Sequence, residues 1–160
     1  MADLLIKNIG ELATAHGSTP KRGAAQGNVE ILQNVCVAVT DGKISFVGPE
    51  KDAPQANQVI DAEGLLVTPG LVDAHTHLVF GGWRQHELPK KLAGVSYLDI
   101  LKAGGGILST VRSTRAATEE ELMIKTQKLL DLMLAHGTTT VEAKSGYGLS
   151  TDQELKQLRV

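Results

Sequence analysis

Apolar residues alternate with polar ones over much of the first part of the chain, which is the period of a half-buried strand. Residues 3 to 9 predict a first strand, and the stretch from His16 to Asn28, rich in Gly, Ser, Pro and Ala, predicts an exposed excursion. Val35, Val37 and Val39 then alternate, Asp41-Gly42 carries the type I′ turn signal, and Ile44-Ser45-Phe46-Val47 returns antiparallel. Val59-Ile60-Asp61 and Leu65-Leu66-Val67 bracket Glu63-Gly64 in the same way, so a second hairpin is expected. Residues 1–68 thus read as a small β-rich, sandwich-like domain, short and incomplete.

After Pro69-Gly70 the pattern changes. Leu71-Val72-Asp73-Ala74-His75 begins a strand, but helices follow it. Ser96 can cap a short helix through Ala103, stopped by Gly104-Gly105-Gly106, and Thr118 with Glu121 forms a capping box for a helix to about Ala135. Gly137 stops that helix, Thr138 to Lys144 has strand propensity, and Thr151 with Glu154 opens another helix. Strand, helix, strand, helix with such connections predicts βαβ units and a parallel sheet, so the fold class is α/β, with residues 69–160 as its second domain. The last helix has barely begun at Val160, and the chain is expected to be the N-terminal portion of a longer protein.

Composition narrows the partners. A content of 42% hydrophobic and 21% charged residues is that of a soluble globular chain, and with aromatics at 3% the core must come from Val, Leu, Ile and Ala. Net charge is −2 with both signs scattered, which offers no footprint for nucleic acid. No segment approaches the roughly 20 apolar residues of a membrane span, and Met1 to Lys7 lacks the basic start of a signal peptide. The single cysteine, Cys36, sits in an alternating apolar run and reads as a buried strand residue. A small-molecule substrate and a cytoplasmic location are the expectation; the sequence leaves the oligomeric state open, including a homodimer of the full-length form.

The strongest chemical signal is Asp73-Ala74-His75-Thr76-His77 at the end of an apolar strand. Side chains two apart on a strand share a face, so His75 and His77 are placed to share one cation, where two solvated histidines would be the bland alternative. Imidazoles at about 2.0 Å suit zinc or iron better than magnesium or calcium, which prefer oxygen. The C-terminal end of a buried parallel strand is also where α/β barrels build their active sites.

Pro69-Gly70-Leu71-Val72-Asp73-Ala74-His75-Thr76-His77 resembles the first barrel strand of the amidohydrolase superfamily. His77-Leu78-Val79-Phe80-Gly81-Gly82-Trp83-Arg84, then Gly104-Gly105-Gly106-Ile107-Leu108-Ser109-Thr110-Val111, and Lys144-Ser145-Gly146-Tyr147-Gly148-Leu149 resemble the imidazolonepropionase family within it. The resemblance implies a composite β domain over residues 1–68, followed by the first two or so units of an incomplete TIM-type (β/α)8 barrel. It further implies hydrolysis of the cyclic-amide C–N bond of 4-imidazolone-5-propanoate to N-formimidoyl-L-glutamate in histidine degradation, with one zinc or iron ion that His75 and His77 help to hold. Arg84 is the matching position for the substrate's carboxylate, which a guanidinium binds through two parallel hydrogen bonds. Tyr147 matches a substrate-contacting tyrosine, and Tyr97, opening a helix nearby, is a further candidate equally readable as packing. A barrel of this kind typically needs about 250 residues, so the remaining metal ligands and the acid/base residues are expected beyond residue 160 and these residues alone are expected to be inactive.

Other features read more plainly. Gly104-Gly105-Gly106 lacks the Gly-Lys-Ser/Thr ending of a phosphate loop, and Lys144 is assigned no role. His16, His86 and His136 read as solvated or helix-capping residues. Ala74 and Trp83 depart from the family pattern, the second at the pocket wall. Two other readings stand: another amidohydrolase, acting on a cyclic amide or a ring amidine, and a non-catalytic assembly module with an open sheet edge.

Overall fold

A computed structural model describes residues 1–15, 17 and 19–160; His16 lies outside the described residues. The chain is mixed α/β and divides by its contacts into two compact units, Met1–Pro69 and Gly70–Val160.

Among its described residues the first unit holds seven strands in two sheets: β1 (Ala2–Lys7), β2 (Glu11–Thr14), β3 (Glu30–Leu32), β4 (Val35–Thr40), β5 (Lys43–Pro49), β6 (Ala56–Asp61) and β7 (Leu66–Val67). The order is β5-β4-β1-β6 in one sheet and β3-β2-β7 in the other. The β4–β5 hairpin forms as expected, with Asp41 and Gly42 both at positive φ (50° and 70°), the geometry of a type I′ turn. Both faces of β4 are covered: Cys36 and Ala38 pack with Ala2 and Leu5, and Val37 packs with Ile9 and Leu12. Cys36 is fully buried there, and burial pushes its thiol pKa up, helped by the charge of Glu50.

The second expected hairpin does not form. Glu63 and Gly64 do turn at positive φ (53° and 74°), but β6 pairs parallel with β1 and β7 pairs parallel with β2. The segment β6-turn-β7 therefore runs alongside β1-turn-β2, each turn carrying the chain from one sheet to the other. The two turns meet where a Cβ on Gly10 would lie 2.0 Å from the Gly64 carbonyl oxygen. Asn8 and the Glu63 N–H both donate to Asp61 at 2.8 Å, which ties the turns together. A turn signal reports local dihedrals, and here long-range pairing decided where the flanking strands went.

In the second unit β8 (Leu71–Thr76) pairs parallel with β9 (Thr138–Ala143), and four helices lie between them in sequence. These are α1 (Leu88–Leu92), α2 (Tyr97–Lys102), α3 (Gly106–Ala116) and α4 (Glu119–Ala135); α5 (Thr151–Arg159) follows β9. Ser96 caps α2 by accepting the Asp99 N–H, and Thr118 with Glu121 forms both halves of the capping box on α4. The C-terminal end of α4 is closed by His136, whose ring Nδ1 lies 2.7 Å from the Leu132 carbonyl. The glycine run ends α2, as expected, but Gly105 and Gly106 also open α3, a helix the sequence reading did not assign. No helix among the described residues is long and apolar enough to cross a membrane.

Candidate functional site

Strand β8 delivers the two histidines, and its last residues depart from ideal pairing. The Asp73 carboxylate accepts the His75 N–H at 3.1 Å, and the register with β9 shifts between Asp73 and Thr76. The Thr76 hydroxyl then donates to the Glu142 carbonyl at 2.8 Å and the Lys144 N–H to the Thr76 carbonyl at 2.9 Å, which keeps the ends of β8 and β9 together. The His75 and His77 rings stand edge to face with centroids 5.8 Å apart. Nδ1 of His75 lies 3.0 Å from the Lys144 ammonium, which also pairs with Glu142 at 3.1 Å. Lys144, assigned no role from sequence, thus orients one of the two rings.

His77 is more enclosed. Its Nδ1 is buried with no hydrogen-bond partner, and its ring lies 5.2 Å from that of Tyr147. Gly146, beside Tyr147, takes φ 148°, and a Cβ there would lie 2.9 Å from Cε1 of His77 and 3.1 Å from its Nδ1. Only glycine allows the loop to approach this closely. A cavity of about 310 Å³ opens in front of His77, lined also by Phe80, Trp83, Arg84, Thr110 and Tyr147. The structure therefore brings His77, Arg84 and Tyr147 together. His75 and Tyr97 are both absent from the lining: His75 is exposed, and Tyr97 is half exposed with its hydroxyl by Gly106 at the start of α3.

Buried polar side chains pack behind this cavity. Thr114 is fully buried; its hydroxyl accepts the Gly81 N–H at 2.9 Å and donates to the Thr110 carbonyl at 2.8 Å, fixing the 80–84 segment on α3. Glu87, also buried, accepts the Gly106 N–H at 2.6 Å, at the first turn of α3. On the other side α5 organises the Ser145–Leu149 loop. The Glu154 carboxylate accepts the Gly148 and Leu149 N–H groups at 2.8 and 2.7 Å, and Gln157 accepts that of Tyr147 at 3.3 Å. Burial pushes the Glu154 pKa up, but the hydrogen bonds from Leu149, Ser145, Gly148 and Gly146 outweigh it and leave the carboxyl below its ordinary value. Lys156 donates to the carbonyls of Thr114, Arg115 and Ala117 at 2.9, 3.0 and 2.9 Å, closing the C-terminal end of α3.

Phe80 and Thr110 lie inside motifs quoted above but were given no role, Glu154 was read only as part of a helix start, and Lys125 was not singled out. Lys125 reaches from α4 to the faces of Phe80 and Trp83, 3.4 and 3.9 Å from their centroids. Lys125 sits in no recognisable motif, and only the capping box, which fixes the phase of α4, bears on where it points.

Comparison with known proteins shows what the chain is similar to. Residues 58–106 match the model of an amidohydrolase family. The imidazolonepropionase of Thermoanaerobacter pseudethanolicus is 50% identical over 99% of this chain and 38% of its own length; that of Staphylococcus saprophyticus is 52% identical over 100% and 39%. Among solved structures, an adenosine deaminase from Xanthomonas campestris with bound zinc aligns with a TM-score of 0.55 at 23% identity, covering 89% of this chain and 29% of that one. An ochratoxinase from A. niger aligns with a TM-score of 0.53 at 20% identity, over 92% and 27%. These two show a shared fold alone. The chain spans about two fifths of the length of the curated relatives it matches, and over that span it is about half identical to imidazolonepropionases, with an amidohydrolase family match over residues 58–106.

Proposed function

We propose that this chain supplies the metal-binding strand and the carboxylate-binding wall of an imidazolonepropionase, which opens 4-imidazolone-5-propanoate to N-formimidoyl-L-glutamate. On this reading residues 1–68 are the N-terminal part of a composite β domain. Residues 69–160 are the first two or so units of a (β/α)8 barrel, for which the parallel β8–β9 pair and its helical crossover are the support. The observation that carries the function is the cavity that sets Arg84 beside His77 and Tyr147 between aromatic walls.

The residues fit part of a zinc or iron site. His77 has a buried ring nitrogen without a partner, and His75 stands one strand pitch away. Among the described residues no group of three His, Cys, Asp or Glu completes a donor set, so His75 and His77 would be two of the ligands. A bound transition metal supplies Lewis-acid polarisation and makes a water acidic enough to be a nucleophile near neutral pH. The chain's own residues do the positioning. Arg84 takes the propanoate carboxylate in a paired hydrogen bond; Phe80, Trp83 and Tyr147 flank the planar ring and exclude water; Lys144 holds the His75 ring in orientation. Tyr97 would join this set as a substrate contact.

The test is turnover of 4-imidazolone-5-propanoate, with metal content measured on the same sample, by the chain extended to the length of its relatives. Turnover with bound metal is the expected result, together with loss of metal in His75→Ala. Stoichiometric metal without turnover would move the assignment to another amidohydrolase substrate, and full metal retention in His75→Ala would remove that ligand.

A further inference from the structure

We propose that Lys125 is a positioning residue for the ligand cavity: its ammonium, held between the Phe80 and Trp83 rings and the Gly82 carbonyl, fixes the wall and turn that carry Arg84. The inference rests on reading that cavity as the ligand site. The segment from His77 to Arg84 has no strand or helix of its own. Gly81 is tied to α3 through Thr114, but Trp83 is 56% exposed, and its ring is steadied by an edge-to-face contact with Phe80 at 5.3 Å and by Lys125. The Lys125 ammonium lies 3.4 Å from the Phe80 centroid and 3.9 Å from that of Trp83, and donates to the Gly82 carbonyl at 2.5 Å. One cation therefore joins three consecutive parts of the turn to α4, by attraction to two ring faces and a charge-assisted hydrogen bond.

Burial pulls the Lys125 pKa down to about 8, so this clamp is charged at neutral pH and loses its charge as pH rises through about 8. Few charges oppose or reinforce it. Glu121, one turn earlier on α4, lines the same hollow, but its carboxylate is taken by the Thr118 N–H at 2.8 Å. From α3, Ser113, Ala116 and Ala117 face the hollow without charge, and Arg84 follows the turn on the cavity side.

Trp83 is the only tryptophan, so its emission reports on the clamp with neither substrate nor metal present. A protonated amine against an indole quenches it by proton transfer in the excited state. Emission is expected to rise as pH passes about 8, to be high and flat in Lys125→Met, and to show no step there in Lys125→Arg, whose cation does not titrate. Acrylamide quenching of Trp83 should increase about twofold in Lys125→Met and stay near wild type in Lys125→Arg. Affinity for imidazole propanoate, by calorimetry, should fall about threefold in Lys125→Met and be kept in Lys125→Arg. A flat wild-type titration with equal quenching in all three proteins would overturn the clamp. The expected fluorescence pattern with equal affinities would overturn its positioning role. That same pattern with no binding by any form would overturn the reading of the cavity instead.

Discussion

Among the described residues the two units bury different kinds of side chain. In Met1–Pro69 the buried residues are apolar: Ala2, Leu5, Ile9, Leu12, Cys36, Val37 and Ala38. In Gly70–Val160 the apolar Leu78, Val79, Ile100, Val111 and Leu122 are joined by Glu87, Thr110, Thr114, Thr126 and Gln157. A buried polar group is costly unless hydrogen-bonded, and Thr110, Thr114 and Gln157 hold or line the loops around His77, while Glu87 uses one carboxylate oxygen at the first turn of α3. The first unit is thus held by area removed from water, which asks only for the right volume. The second depends in addition on directed bonds, which keep a cavity open and its walls in place.

The largest expected effect that tests this contrast comes from the apolar side. Leu5→Ala removes a side chain 8% exposed in the cluster with Ala2, Cys36 and Ala38, and should cost about 3 kcal/mol. The two units can be read separately, because Trp83, Tyr97 and Tyr147 all lie in the second. Urea unfolding followed by far-ultraviolet circular dichroism should shift while the tyrosine and tryptophan transition does not. A joint shift of both signals would mean that the units unfold as one.

Next comes Thr114→Val, nearly isosteric, which leaves the Gly81 N–H without its acceptor. We expect a loss of about 2 kcal/mol in the fluorescence-detected transition, since an orphaned buried donor loses its hydrogen bond and keeps its desolvation penalty. Unchanged stability would show that the hydroxyl is dispensable and the buried polar packing behind the cavity incidental.

How much of this was legible beforehand follows the same division. The β4–β5 hairpin could be read because its turn and its alternation are local, and the capping box of α4 because its residues are three apart. The separation of β6 from β7 could not, since each found a partner far back in sequence. Helix α3 was hidden by glycines that look like a stop and by Thr110 and Thr114, polar residues where an amphipathic pattern expects apolar ones. At the site, His77, Arg84 and Tyr147 lie in contiguous motifs. Thr110 lies in one too, but that it faces the cavity, like the reach of Lys125 and Glu154 to the site, follows from the packing of α3, α4 and α5, which no spacing along the chain encodes.

Glu154→Ala should cost about 1.5 kcal/mol, the worth of hydrogen bonds to a charged acceptor at a partly exposed site. The carboxyl is held below its ordinary value in the folded chain, so its contribution is fully present above the ordinary carboxylate pKa. It is lost as pH falls through the lowered folded value. The stability gap between wild type and variant should accordingly be constant near neutrality and close on acidification, as measured by urea midpoints across an acid series. A gap that widened in acid would reverse the assignment.

The smallest effect expected is on binding and leaves the fold alone. Arg84 is only partly buried and makes no hydrogen bond that stability depends on among those described, so Arg84→Ala should leave both unfolding transitions in place. If its guanidinium takes the carboxylate, affinity for imidazole propanoate should fall about tenfold, about 1.4 kcal/mol, while affinity for imidazole itself should not change. Arg84→Lys should recover part of the loss, because an ammonium keeps the charge but cannot make the paired bond. An equal loss for both ligands would mean that Arg84 shapes the cavity without recognising the tail, and the directed bonding of the second unit would then stop at the residues packed behind the cavity.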